Sequence, residues 1–222
     1  MGRINLNDGL KKYISDLISK YPLLTGVESE IVEAYKILEG CFESGNKLLC
    51  AGNGGSSADS DHVATELIKQ FVLVRPLGEE LQDKIKSVDQ ENGDYLAKSL
   101  QHGLPAFSLT SNSAIVTAMS NDCDYNLAFA QQIISLGRSG DVLLAISTSG
   151  NSKSVVNAAI AAKAMGIKVI GLTGKNGGKL KEFSDCCIIV PGSDTYQIQE
   201  LHLPVYHCLC LMLEYHFWGD RV

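Results

Sequence analysis

The chain has 222 residues and no apolar run near the roughly 18 residues that a membrane-spanning helix requires. Basic residues do not dominate either: 19 Lys and Arg stand against 25 Asp and Glu, a net charge of −6 with no basic block. A surface that binds nucleic acid by neutralising phosphates is therefore disfavoured, although a local anion site is not. The first residues, MGRINLNDGLKKYISDL, contain no uninterrupted apolar core and no small-residue cleavage site, so no secretory leader is expected. Seven cysteines (Cys41, Cys50, Cys123, Cys186, Cys187, Cys208 and Cys210) include no CxxC pair and are odd in number. Reduced core thiols of a cytoplasmic protein fit that pattern better than a disulfide framework. Neither GxxxxGK[ST] nor GxGxxG occurs, so the usual nucleotide fingerprints are missing.

What is present reads as one globular domain, 45% hydrophobic and 20% charged. Within residues 1–46, apolar positions recur every three or four residues through Leu10, Ile14 and Leu17, and again through Ile31, Tyr35, Leu38 and Phe42. Two N-terminal helices are expected there. From Lys47 onward, five short apolar runs (KLLCAG, PAFSLTS, DVLLAISTS, KVIGLTG and CCIIVP) alternate with helical segments at 56–71, 113–136, 152–165 and 180–183. Runs this short and continuous suit parallel strands buried on both faces, so the expected fold is α/β with five parallel strands. A last helix from about Thr195 to Phe217 contains Pro204, which should cost a hydrogen bond and introduce a bend. Residues 72–104 are polar and weakly periodic, and read as an exposed, partly helical and mobile insertion.

In a parallel sheet the ligand crevice lies beyond the carboxyl ends of the strands. Two strand ends carry suitable residues: Asn53-Gly54-Gly55-Ser56-Ser57 and Ser147-Thr148-Ser149-Gly150-Asn151-Ser152. Glycines allow close backbone approach, and hydroxyls with helix-start amides attract anions. Either loop taken alone could merely cap a helix, but four hydroxyls within six residues exceed what a cap needs, and a small phosphorylated ligand is the better reading. His62 and Glu66 stand at i, i+4 on a helix, a spacing that can hold a metal or join acid to base, yet is often an ordinary surface pair. Gln199 and His207 lie on the last helix, about 80° and about 12 Å apart if it is straight, so they need not meet at one metal.

Taken in order, AGNGGSSADSDHVATEL, SNDCDYNLAF, LLAISTSGNS, VIGLTGKNGGKL and QIQELHLPVYH resemble the bacterial phosphoheptose isomerases of the sugar isomerase (SIS) superfamily. The resemblance implies a flavodoxin-like sheet, a cytoplasmic homotetramer and conversion of sedoheptulose 7-phosphate to a heptose 7-phosphate for lipopolysaccharide or capsule. It implies one zinc ion per subunit on His62, Glu66, Gln199 and His207, with Glu66 and His207 as the acid/base pair. It assigns the sugar phosphate to Asn53, Gly54, Gly55 and Ser56, to Asn121 and Asp122, to Ser147, Thr148, Ser149 and Ser152, and to Glu66 and Gln199. Three departures stand out: Gln70 replaces an arginine, Tyr196 replaces an acidic residue, and the segment between Phe71 and Pro105 is longer than expected. The competing expectation is a non-catalytic SIS protein that binds a replication initiator or senses a sugar phosphate. Retention of all four metal and acid/base positions favours the enzyme.

Overall fold

The computed structural model describes residues 6–219, so the reading of the first residues as lacking a leader falls partly outside it. All five apolar runs form strands: β1 (Leu48–Ala51), β2 (Ala106–Ser108), β3 (Val142–Ser147), β4 (Lys168–Thr173) and β5 (Cys186–Ile189). They pair in parallel in the order β2-β1-β3-β4-β5, with Leu48 opposite Val142 and Ala51 opposite Ala145. In chain order the helices are α1 (Asp8–Lys20), α2 (Glu28–Glu43), α3 (Gly55–Ile68), α4 (Glu79–Val88), α5 (Gln90–Ser99), α6 (Ser113–Asp122), α7 (Ala128–Leu136), α8 (Lys153–Ala164), α9 (Leu180–Phe183) and α10 (Thr195–Trp218).

Because successive strand side chains point to opposite faces, the continuous runs fill two cores. Leu48, Cys50, Leu144 and Ile170 pack with α1, α2, α3 and α10, while Leu49, Ala51, Leu143 and Val169 pack with α7, α8 and α9. Five of the cysteines are buried, Cys187 is half-buried and Cys123 is exposed; all are free thiols. Burial pushes the Cys41 and Cys186 thiols up to about 12, which keeps them protonated and inert.

Pro204 lies buried inside α10, as expected from the sequence. Two expectations change. The single helix over 113–136 is two, because Cys123 leaves helical geometry and the Asp124 carboxylate accepts the Asn126 N–H, starting a short 3₁₀ turn at Tyr125–Leu127. The segment 72–104 folds as the α4–α5 hairpin, closed at its base by a Pro76–Gln101 bridge. Its tip is exposed, but its root is not, since Arg75 has no exposed surface and Leu77 and Leu104 are buried.

His202, on α10, is fully buried and neither ring nitrogen meets a hydrogen-bond partner among the described residues. Burial drives its pKa down to about 4, against the smaller opposing effect of the nearby Thr173 backbone. The unfolded chain takes up a proton near pH 6.5, the folded chain only near 4, so this contribution to stability is complete above about pH 6.5 and is lost as the pH falls toward 4. The full loss is about 3 kcal/mol. Urea unfolding should show it between pH 7 and 5, and His202→Leu should flatten that slope; an unchanged slope would assign the acid sensitivity to other groups.

Candidate active site

The strand order reverses between β1 and β3, and the crevice beyond their carboxyl ends is where a doubly wound sheet binds its ligand. The loops 52–56 and 147–152 leave the sheet side by side at this point. Gly54 and Gly150 have φ of +57° and +65°, a region that disfavours side chains, and a Cβ at Gly150 would also strike the Gly177 carbonyl. The resulting cleft of ≈ 310 Å³ is lined by Asn53, Gly54, Gly55, Ser56, Ser147, Thr148, Ser149, Ser152 and Gln199, with Ile146 and Thr195 completing the wall. Asn53 to Ser56, Ser147 to Ser149 and Ser152, which the resemblance assigns to the sugar phosphate, all line this one space, whereas Ser57, Gly150 and Asn151 of the same loops do not.

Ser152 stands at the N-cap of α8 but makes no capping bond; its hydroxyl accepts from Asn53 Nδ2 at 2.6 Å. Helix capping therefore does not account for the serine-rich loop. Asn53 Nδ2 also donates to Ser154 Oγ at 2.9 Å, and Asn53 Oδ1 accepts from the Tyr125 hydroxyl. One amide thus ties together the ends of β1 and β3 and the turn after α6. The loop is braced from outside as well: Gly174 N–H donates to Thr148 O, and Lys179 N–H to Asn151 Oδ1. Among the described residues, the hydroxyls of Ser147 and Thr148 have no protein partner.

α3 begins at the cleft and carries the next group of side chains. His62 Nε2 lies 3.2 Å from Glu66 Oε1 and 3.4 Å from His207 Nε2 on α10. Lys69 Nζ lies 3.3 Å from Glu66 Oε2. The other nitrogen, His62 Nδ1, is 3.1 Å from the Tyr206 hydroxyl, which donates to Asp59 Oδ1 at 3.2 Å. A tyrosine that donates to a carboxylate accepts from the histidine, so Nδ1 carries the proton and Nε2 presents its lone pair to Glu66 and His207. Burial raises the Asp59 pKa and lowers that of His207, with the neighbouring His62 adding to the latter.

His62 Nε2 thus faces both Glu66 Oε1 and His207 Nε2, an arrangement that a proton on His207 Nε2, or a cation bound between the three groups, would satisfy. Donors around tetrahedral zinc with bonds of about 2.0 to 2.1 Å stand about 3.3 to 3.4 Å apart, close to the two measured separations. Among the described residues no group of three or more His, Cys, Asp and Glu side chains is placed so that it could hold a metal ion without rearrangement. Gln199 is not gathered with the histidines: its amide lies against Gly55, where a Cβ would collide with it. His62, Glu66 and His207 bring two imidazoles and one carboxylate together across α3 and α10, while Gln199 lines the cleft at the start of α3.

Asn121 and Asp122 end α6, exposed and hydrogen-bonded to each other at 2.7 Å, and line neither the cleft nor the histidine cluster. Tyr196 is 61% exposed. The sequence reading missed Tyr125, Tyr206 and Asp59. An Asp three residues before the histidine was visible on α3, whereas its tyrosine partner is 147 positions away.

Residues 96–174 match the SIS domain family model. The chain is 33% identical over 214 residues to the phosphoheptose isomerase of Akkermansia muciniphila, covering 96% of this chain and all of that one. It is 39% identical over 195 residues to that of Thiobacillus denitrificans, covering 86% of each. Among solved structures, the phosphoheptose isomerase of Francisella tularensis superposes with a TM-score of 0.72 at 30% identity, over 93% of this chain and 96% of that one. The likeness extends from the N-terminal helices to α10, well beyond the SIS segment, and takes in both helices that carry the histidine cluster; the chain belongs to the phosphoheptose isomerase family.

Proposed function

We propose that the protein is an aldose–ketose isomerase that interconverts sedoheptulose 7-phosphate and D-glycero-D-manno-heptose 7-phosphate for lipopolysaccharide or capsule heptose. The observation that carries this reading is the placement of an acid/base cluster and an anion cleft along one helix. Gly55 lines the cleft, and His62 follows about 10 Å further along α3, a span suited to a seven-carbon chain held by its phosphate at one end.

Moving the carbonyl between C2 and C1 requires a base to remove a proton, an acid on the carbonyl oxygen and stabilisation of a cis-enediolate. Glu66 and His207 are the pair in reach, one on each helix, with His62 between them. Neutral imidazole at His207, favoured by its burial, can accept a proton. Drawn slightly together, His62, Glu66 and His207 would hold a zinc ion, which when bound would polarise the carbonyl and the adjacent hydroxyl. The cytoplasmic homotetramer belongs to the same proposal. No helix among the described residues is long and apolar enough to cross a membrane.

Incubation with sedoheptulose 7-phosphate in D2O, with chelator and then with zinc restored, is the decisive test. Turnover with deuterium entering the product carbon is expected. Zinc-loaded protein that neither converts nor exchanges any six- or seven-carbon ketose phosphate would overturn the reading. The phosphate position is tested separately: Ser149→Ala and Ser152→Ala should each raise KM by an amount equivalent to about 1 to 2 kcal/mol. Unchanged steady-state constants in both would move the phosphate elsewhere.

A further inference from the structure

Helices α3 and α10 run in the same direction and meet at three levels. Gln199 lies against Gly55 at their starts, and His207 and Tyr206 meet His62 in the middle. At their ends stands a buried ion pair that the chemistry above does not use. Arg75 is 0% and Glu214 1% exposed, with Arg75 Nε and Nη2 both 2.8 Å from Glu214 Oε1.

Both groups are fully engaged. Arg75 Nη1 donates to the Leu67 carbonyl at 2.7 Å and Nη2 to the Glu66 carbonyl at 3.1 Å, filling two of the acceptors that the end of α3 leaves without helical partners. Glu214 accepts from the backbone N–H groups of Phe71, Val72 and Leu73 at 2.8, 2.8 and 3.0 Å. The guanidinium lies over the Trp218 ring at 4.6 Å, which closes the remaining face. A buried pair of this kind is often replaceable by apolar residues without loss of stability, so stability alone does not explain it. It does fix register, because a shift of α3 against α10 would leave a buried charge unpaired.

That register reaches the reacting groups by two routes. The Glu66 whose carbonyl Arg75 holds is the residue whose carboxylate meets His62, and Glu214 lies two turns beyond His207 on α10. Phe71, held at its N–H by Glu214, packs its ring on that of His207 with centroids 5.4 Å apart. We infer that Arg75 and Glu214 are positioning residues, a clamp that sets α3 against α10 and so fixes the separations among His62, Glu66 and His207. The kinetic part of this inference rests on the isomerase reading.

Two forms test it: Glu214→Gln, which keeps the shape and one acceptor oxygen, and the double change Arg75→Met with Glu214→Leu, which keeps an apolar plug. Each is assayed for kcat and KM with sedoheptulose 7-phosphate, and for Co2+ and Zn2+ affinity by chelator competition, after cooperative unfolding has been verified. Metal affinity and kcat should each fall about 10- to 100-fold, as for other groups that orient metal ligands. KM should stay within about threefold, because the phosphate loops sit at the opposite end of α3. Wild-type kcat and metal affinity in either folded form would overturn the clamp, as would a change confined to KM. Wild-type protein that binds metal without turnover would sink the isomerase reading and leave the clamp to be judged on affinity; wild-type protein with neither property sinks both.

Discussion

Glu66→Gln and His207→Asn should each lower kcat by about two to four orders of magnitude, the range expected when a general acid or base is removed. Glu66→Gln keeps the side-chain shape, His207→Asn keeps a polar side chain, and both residues are only half-buried, so the fold should survive. The measurement pairs steady-state kinetics with metal content for each variant. Loss of activity at full metal occupancy assigns proton transfer to the residue; loss that follows metal content and is restored by excess zinc assigns ligation. Full activity in either variant would remove that residue from the chemistry. Deuterium exchange separates the roles further, since a variant that still exchanges solvent into the ketose without forming aldose has kept its base and lost its acid.

Much of the fold was legible because parallel strands buried on both faces leave continuous apolar runs, and Leu48 through Ala51 or Val142 through Ser147 cannot be confused with an amphipathic stripe. The phosphate loops were legible for a related reason: glycine and hydroxyl residues at a strand end have few other uses at that density. The break at Cys123 was hidden because apolar positions continue across it from Met119 to Phe129, while the Asp124 cap acts on one N–H only. Arg75 was hidden more deeply. It sits as one charge in the apolar stretch Phe71 to Leu77, before a proline, and its burial depends on Glu214, 139 positions later. Pairings across such separations leave no periodic trace, and the same holds for the Asp59–Tyr206–His62 chain. The hairpin of α4 and α5 gave little signal because α4 buries none of its residues against the described chain, so no apolar stripe was required of it.

The tie made by Asn53 leads to the second large effect. Its amide holds three hydrogen bonds to groups from two separate segments: Ser152 Oγ and Ser154 Oγ at the start of α8, and the Tyr125 hydroxyl after α6. Asn53→Ala should therefore loosen both phosphate loops and the turn after α6 together, lowering kcat/KM by about 10- to 2000-fold if each lost bond counts for about 0.5 to 1.5 kcal/mol. Tyr125→Phe removes one of the three and leaves the ring in place, so it should cost no more than about tenfold. Comparing the two tells a shared tie from a local contact. If Asn53 acts by holding the loops, the double variant with Tyr125→Phe should lose little beyond Asn53→Ala alone, because the tyrosine's partner is already gone. Fully additive losses would mean that the two side chains contact the sugar phosphate independently, and a near-silent Asn53→Ala would mean that the Ser147 to Ser152 loop keeps its shape without it.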